Sequence, residues 1–115
     1  MQTVTVDLGN RSYPIYIGSG ILHKQQLIQP FLAQGRSLIV TNEKVAPFYL
    51  EAVQAATGST DAVVLPDGEQ YKTLATAETI YDHLLAGKYD RSTTLIALGG
   101  GVVGDIAGVA AATYQ

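Results

Sequence analysis

The sequence has no cysteine among its 115 residues. Disulfide bonds and thiolate metal sites are therefore excluded, and the absence suits a reducing compartment. Charged residues are few, at 15%, while hydrophobic residues make up 47%, a balance that argues against a disordered chain. The net charge is −3 and no basic cluster is present. These features argue against a surface for nucleic acid or for anionic membranes.

Long hydrophobic runs are missing as well. No apolar stretch approaches the roughly 20 residues that a membrane span needs. The first residues also lack the basic region followed by an apolar region that is typical of a signal peptide. We therefore expect a cytoplasmic protein that binds neither a membrane nor a nucleic acid.

The length of the chain allows one domain with a hydrophobic core, but not two. Its last residues, 110–115, fall inside or just after an apolar helical pattern and carry no glycine cap, proline stop or polar tail. We expect the chain to be a fragment of a longer protein. A short protein that ends on a helix is the alternative.

The first 32 residues predict a hairpin and a short helix. Apolar residues alternate with polar ones in 4–8 and again in 13–17, on either side of Gly9-Asn10, a pattern that predicts two antiparallel strands around a turn. Apolar residues within 27–32 then fit one face of a helix, although Pro30 weakens its last turn.

From residue 37 onward the pattern changes to an alternation of strands and helices. Continuous apolar runs at 38–40, 62–65 and 94–98 predict parallel strands that are buried on both faces. Helices are expected after each strand. The first has Pro47 in its first turn and Gly58 at its end; the second ends at Gly87 and buries five apolar residues, which are Ala77, Ile80, Tyr81, Leu84 and Leu85. The fold class is therefore α/β: a Rossmann-like parallel sheet flanked by helices, with an N-terminal β-hairpin.

A glycine-rich turn joins the third predicted strand to the last helix. Gly99, Gly101 and Gly104 satisfy G-x-G-x-x-G, in which glycine allows a sharp turn, close approach to a pyrophosphate and tight packing of helix on strand. A tight turn without a ligand is the alternative, and the motif departs from the usual fingerprint because it follows the third strand. Asp105 is expected either to cap the helix or to bond a ribose or nicotinamide, and Gly108 to allow close packing against a neighbour.

A second polar loop follows the second predicted strand. Pro66-Asp67-Gly68 is a turn signature, and Glu69 and Lys72 come directly after it. Because ligands bind at the carboxyl ends of parallel strands, this loop, the glycine turn and Asn42 are expected on one rim. A solvated loop without function is the alternative.

The two histidines, His23 and His83, are expected on the surface. No second histidine or nearby carboxylate in the sequence completes a metal site around either. No serine or cysteine nucleophile motif is present.

Together these motifs resemble the bacterial 3-dehydroquinate synthase family. The resemblance covers nearly the whole chain and is carried by PDGEQYKT at 66–73, LIALGGGVVGD at 95–105 and AAATYQ at 110–115, with VTNE at 40–43 and APFY at 46–49 in support. It implies an NAD-dependent, zinc- or cobalt-requiring lyase of the shikimate pathway that acts on 3-deoxy-D-arabino-heptulosonate 7-phosphate. In that family NAD transiently oxidises the substrate, phosphate is eliminated, and the ketone is reduced again before ring closure.

The resemblance also implies which residues bind NAD. Glu69 and Lys72 match positions on the adenosine ribose side, and Asn42 matches an adenosine-side position. The first implied cofactor segment is Asp67, Gly68, Glu69, Gln70, Tyr71 and Lys72. The implied pyrophosphate segment is Gly100, Gly101, Val102, Val103, Gly104 and Asp105.

The remaining implications concern residues beyond 115. By the resemblance, residues 1–115 are the N-terminal NAD-binding domain of a two-domain enzyme that forms a homodimer, and the helical C-terminal domain, with its zinc ligands and basic substrate-binding residues, is absent. This chain then holds no catalytic residue and no metal ligand, and we predict that it is inactive alone. Related sugar-phosphate cyclases, iron-type alcohol or glycerol dehydrogenases and a non-enzymatic nucleotide-binding module are the alternatives.

Overall fold

A parallel three-stranded sheet forms the centre of the computed structural model, which describes residues 1–32 and 36–114. The strand order is β4-β3-β5, and a separate antiparallel hairpin is formed by β1 and β2. Residue 115, the last of the C-terminal motif, lies outside the described residues. The elements are β1 Gln2–Val6, β2 Tyr13–Ile17, α1 Gln25–Ile28, β3 Ser37–Asn42, α2 Ala46–Thr57, β4 Ala62–Leu65, α3 Leu74–Ala86, β5 Thr94–Ala97 and α4 Gly101–Thr113.

Only the central strand is buried on both faces. Leu38, Ile39 and Val40 in β3 are fully buried. Val64 in β4 is 49% exposed, and β5 has no fully buried residue. The prediction of three strands buried on both faces is therefore wrong for β4 and β5, because α3 and α4 pack on one face of these strands while α2, on the other face, packs on β3.

The helices divide between the two faces of the sheet. Helices α3 and α4 pack against each other and bury Ile80, Leu84 and Ile106 in one core with Leu38 and Val40 of β3. Helix α2 packs on β3 from the other face. None of the helices in the described residues is long and apolar enough to span a membrane.

The hairpin forms as predicted but presents its apolar face to solvent. Val4 pairs with Ile15, and both side chains are exposed. The residues that are half-buried on β2 are instead Pro14 and Tyr16. The connecting turn is a 3₁₀ turn in which Gly9 has φ +67°.

The ends of the first two helices lie where glycine and proline predict them, whereas the predicted burial of one residue in α3 is wrong. Gly58 ends α2 in the left-handed conformation, and its N–H donates to the Gln54 carbonyl. The helix predicted within 27–32 is α1 followed by a 3₁₀ turn that contains Pro30, as expected from the proline ring. Leu85 of α3, predicted to be buried, is 59% exposed.

The end of α3 shows why glycine is needed at position 87. Its φ is −84°, and the next residue, Lys88, takes the left-handed conformation with φ +56°. A Cβ at Gly87 would lie 2.6 Å from Cε2 of Tyr89. Glycine is therefore required by the packing of the Tyr89 ring rather than by its own backbone angle.

Candidate functional site

Three loops meet at the carboxyl ends of the parallel strands. Asn42 ends β3, the loop 66–73 follows β4, and the glycine turn follows β5. Asn42 Nδ2 donates to Asp67 Oδ1 at 3.4 Å, and Lys72 Nζ lies 2.7 Å from Asp105 Oδ2. The structure therefore brings the three predicted loops together on one rim.

Asn42 also organises the start of α2. Its Oδ1 accepts hydrogen bonds from the backbone N–H of Lys44, at 3.1 Å, and of Val45, at 2.8 Å. This side chain thus holds the turn between β3 and α2. The amide nitrogen of Asn42 is the group that reaches toward the neighbouring loop.

The loop after β4 is held mainly by its backbone. Gly68 has φ +130°, a conformation that favours glycine, and a 3₁₀ turn follows it at Glu69–Tyr71. The N–H of Asp67 donates to Glu43 Oε1 at 3.3 Å, and Thr73 caps α3 by accepting from the Thr76 N–H. The side chains of the 3₁₀ turn, which are Glu69, Gln70 and Tyr71, are exposed on the rim.

An ion pair joins the second loop to the glycine-turn helix. Lys72 and Asp105 are 2.7 Å apart, and their side chains are about half exposed, at 45% and 58%. The hydrogen bond that Lys72 donates to Asp105, followed by the charges of Asp105 and Glu69, raises the pKa of Lys72 above its usual range. Among the described residues, no side chain caps α4 at Gly100. The suggestion that Asp105 is the cap is therefore wrong, since this carboxylate pairs with Lys72.

The glycines of the turn have different physical reasons. Gly99 has φ +157°, and a Cβ there would lie 2.9 Å from Cγ2 of Val103, so this glycine is needed without any ligand. At Gly100, Gly101 and Gly104 an added Cβ would meet no described atom within 4 Å. Tight packing of helix on strand, one of the three reasons predicted for the glycines of this motif, therefore applies at Gly99 and not at Gly101 or Gly104, beside which the space is open. Gly108 likewise has no close neighbour in the described part of the chain.

The valines of the turn face inward. Val103 is buried in the core and Val102 is half-buried against it. Only their backbone groups are therefore available at the rim. The first N–H groups of a helix have no partner within it, so the start of α4 offers donors to an anion.

An apolar groove that sequence reasoning missed lies beside the rim. It has a volume of about 230 Å³, lies between α3 and α4, and is lined by Leu74, Ile106 and Val109, with Lys72 and Asp105 beside them. Leu74 and Val109 are exposed apolar residues. The hydrophobic pattern of each helix did not predict this groove, because it arises only where two helices meet.

His83 has a carboxylate partner at the opposite end of the sheet, a contact that sequence reasoning did not foresee. Its Nε2 lies 3.0 Å from Asp61 Oδ2, and the Tyr89 hydroxyl donates to the same oxygen at 2.8 Å. The Tyr89 bond, followed by the His83 bond and charge, lowers the pKa of Asp61, although partial burial opposes the shift. The described residues contain no group of three potential metal ligands. His23 is exposed.

Sequence comparison identifies relatives along the whole chain. Residues 62–115 match the family model described as 3-dehydroquinate synthase N-terminal. The 3-dehydroquinate synthase of Pseudomonas entomophila (strain L48) is 54% identical over 117 residues, which cover 100% of this chain and 32% of the relative. That of Halorhodospira halophila (strain DSM 244 / SL1) is 55% identical over 115 residues, with the same coverage. The chain thus spans about a third of the length of the curated relatives it matches.

Solved structures support the fold. A crystal structure of 2-deoxy-scyllo-inosose synthase matches with a TM-score of 0.84 at 23% identity, covering 97% of this chain and 33% of that one. The same enzyme complexed with carbaglucose-6-phosphate, NAD+ and Co2+ matches with a TM-score of 0.83. At this identity the likeness concerns the fold alone, and it agrees with the predicted α/β class. By its sequence, the chain is similar over its whole length to about a third of the length of the curated 3-dehydroquinate synthases, and its residues 62–115 match the model of their N-terminal part.

Proposed function

We propose that this chain supplies the NAD-binding part of a 3-dehydroquinate synthase, which converts 3-deoxy-D-arabino-heptulosonate 7-phosphate to 3-dehydroquinate and phosphate. The observation that carries the proposal is the identity of 54% with such an enzyme along the whole chain. The convergence of the three loops on one rim gives it a physical basis. In the full-length enzyme, which we expect to be a cytoplasmic homodimer, this part would bind and orient NAD.

The start of α4 is suited to a pyrophosphate. Open space lies where Gly100, Gly101 and Gly104 would carry a Cβ, so a ligand can approach the backbone there. The unpaired N–H groups and the positive end of the helix dipole favour negative charge. We assign the pyrophosphate to this turn, with Val102 and Val103 contributing through their backbones.

The loop after β4 is suited to a ribose. Glu69 and Lys72 are exposed on the rim and offer an acceptor and a charged donor for vicinal hydroxyl groups. Asn42 Nδ2 and Asp67 lie beside them. We assign the adenosine end of NAD to this side.

The metal does not fit the described part of this chain. A divalent metal needs three or more converging ligands, and no such group of His, Cys, Asp or Glu is found among residues 1–32 and 36–114. In the proposed enzyme the metal and the phosphate-bearing substrate would therefore be held by the remainder of the protein. Accordingly, we expect no release of phosphate from the 115-residue chain.

A related cyclase is the second candidate. The likeness to 2-deoxy-scyllo-inosose synthase complexed with carbaglucose-6-phosphate is compatible with another sugar-phosphate substrate. The identity of 23% with that enzyme is much lower than the 54% with 3-dehydroquinate synthase. Chromatographic analysis of the product that the full-length enzyme makes from each sugar phosphate would distinguish the two.

Calorimetric titration of NAD into the purified chain tests the cofactor assignment, with circular dichroism to verify folding. We expect saturable one-to-one binding. Gly101→Ala places a methyl group in the space assigned to the pyrophosphate and should weaken binding by at least about tenfold. Gly108→Ala is the matched control, because it adds the same methyl group to open space further along α4 and should leave the affinity unchanged.

Two results would count against these assignments. Equal affinities of the Gly101→Ala and Gly108→Ala chains would show that the pyrophosphate lies elsewhere. A folded chain that binds no NAD would show that the site is not self-sufficient, and the titration would then be repeated on a full-length protein that begins with this sequence.

A further inference from the structure

The peptide group between Asp67 and Gly68 carries no hydrogen bond within the described chain. The groups on either side of it are held: the N–H of Asp67 donates to Glu43 Oε1 at 3.3 Å, and the Gly68 carbonyl accepts from the Tyr71 N–H at 3.1 Å. The two residues lie outside every strand and helix, and the Asp67 side chain is exposed. Rotation of this peptide group therefore breaks no hydrogen bond of its own.

The carboxylate of Asp67 is also weakly held. The only hydrogen bond that it accepts among residues 1–32 and 36–114 comes from Asn42 Nδ2, at 3.4 Å, which is long for a bond between nitrogen and oxygen. Because both groups are so little restrained, the carboxyl carbon of Asp67 and the amide nitrogen of Gly68 are free to approach each other.

Glycine at position 68 favours this approach and is also required by the loop. It has no Cβ that would hinder an attack by its own nitrogen. Its φ of +130° is one that residues with a Cβ rarely adopt. The conformation of the loop therefore retains glycine directly after Asp67.

No other aspartate or asparagine of the chain combines these features. In every other case the next residue carries a side chain, and the peptide group that joins the two is hydrogen-bonded through its N–H or its carbonyl. The residues concerned are Asp7, Asn10, Asn42, Asp61, Asp82, Asp90 and Asp105.

We propose that Asp67-Gly68 is a site of spontaneous isomerisation of aspartate to isoaspartate. The Gly68 nitrogen attacks Cγ of Asp67, and a carboxylate oxygen leaves as water with the proton of the nitrogen and one from solvent. This closes a succinimide ring. Water then adds at the main-chain carbonyl of Asp67, the bond from that carbonyl to the nitrogen breaks, and the new carboxylic acid releases a proton. Only water is exchanged, so no oxidant or cofactor is needed.

The product changes the rim of the sheet. Its main chain runs through Cβ and Cγ of residue 67 and is longer by a methylene group, and its carboxylate is attached to Cα. The 3₁₀ turn that follows is therefore displaced relative to β4. If this loop holds the adenosine end of NAD, the isomerised chain binds the cofactor more weakly. That consequence rests on the proposed function, whereas the isomerisation does not.

Mass spectrometry of the aged chain tests the proposal. The purified 115-residue chain is incubated at physiological temperature and pH, and fragmentation by electron transfer locates isoaspartate by cleaving its Cα–Cβ bond. We expect isoaspartate to accumulate at position 67 at least about tenfold faster than at Asp82, which is held within α3. Equal accumulation at the two positions would overturn the proposal.

The chain unfolded in guanidinium chloride separates the effect of the fold from that of the sequence. Because the fold leaves this peptide group unbonded, folding should slow the reaction at Asp67 by less than about tenfold. A larger slowing would show that the fold protects the site, and the proposal would be wrong.

Two substitutions at position 67 provide a second measurement. Asp67→Glu should remove most of the total isoaspartate, measured by enzymatic methylation of the isoaspartyl carboxylate, because the larger ring that glutamate would form closes much more slowly. Asp67→Asn should react faster, since ammonia leaves an amide more readily than water leaves a carboxylate, and the conversion of amide to acid changes the mass. An unchanged total in Asp67→Glu would place the reaction elsewhere and refute the assignment.

Titration of NAD into the isomerised chain, separated by chromatography, tests the consequence for the cofactor. We expect its affinity to be lower than that of the unmodified chain by at least about tenfold. Isoaspartate at position 67 together with equal affinities would confirm the isomerisation and contradict the placement of the adenosine end of NAD at this loop. Failure of the proposed function is thereby distinguished from failure of the modification site.

Discussion

The two ends of the parallel sheet are built differently. At the amino end, Tyr89 is buried to 3% exposure, donates to Asp61, accepts at its carbonyl from the Tyr114 hydroxyl and lies beneath the Arg36 guanidinium, 3.6 Å from the ring centroid. At the carboxyl end, the Lys72–Asp105 ion pair is about half exposed.

If NAD binds where we propose, this difference separates the residues that stabilise the fold from those that bind the cofactor. At the amino end, the buried Tyr89 joins the residues before β4 and β5 to the end of α4. Exposed polar groups at the carboxyl end remain available to a ligand. Substitutions at the amino end should therefore change stability, whereas those at the carboxyl end should change the affinity for NAD.

The largest expected effect is that of Tyr89→Ala. The change removes a buried aromatic ring and should lower the free energy of unfolding by about 3–5 kcal/mol, as measured by urea denaturation. Tyr71→Ala, which removes an exposed tyrosine at the carboxyl end, is the matched control and should change it by less than about 0.5 kcal/mol. Equal losses in the two variants would contradict the distinction between the ends.

A smaller effect, on the affinity for NAD and not on stability, is expected for Lys72→Gln. The variant loses an exposed ion pair, so the urea midpoint should stay close to that of the parent chain. The affinity for NAD should fall by about tenfold, because under the proposed assignment Lys72 is a charged donor to the ribose. Lys44→Gln is the control for removing one positive charge. If Lys72→Gln lowered the stability but not the affinity for NAD, the assignment of Lys72 to the cofactor would be wrong and its role would be structural.

The smallest expected effect is a dependence of stability on pH through Asp61. Its pKa is lower in the folded chain than its ordinary value of 3.8, so the carboxylate contributes stability above that value, and the contribution is lost as pH falls through the folded pKa. Because the side chain is 40% exposed, we expect less than about 1 kcal/mol. In urea denaturation between pH 6 and 3, Asp61→Asn should show a shallower decline than the parent chain, and parallel curves would contradict the assignment.

Local patterns were sufficient where neighbouring residues decide the structure. Gly58 ends α2 as predicted, because the left-handed conformation depends on that residue alone. The Gly9-Asn10 turn likewise specified the hairpin. The loop 66–73 and the glycine turn were placed on one rim correctly, because the carboxyl ends of parallel strands lie at the same side of a sheet.

Predictions failed where distant residues decide the structure. The Asp61–His83 contact joins positions 22 residues apart, and no helix or strand period relates them. The exposure of Val64 and Leu85 depends on what covers a strand or a helix. The open space beside Gly104 likewise depends on how far α4 lies from its neighbours.

By itself, the sequence determined the α/β class, the alternation of strands and helices and the two motifs that relate the chain to 3-dehydroquinate synthase. These features follow from side-chain periodicity and from backbone preferences, which act over a few residues. Only the tertiary structure decided that Asp105 pairs with Lys72, that His83 pairs with Asp61 and that β3 lies between β4 and β5. Each of these depends on how separate elements pack, and packing distances are not encoded in any single stretch of the chain.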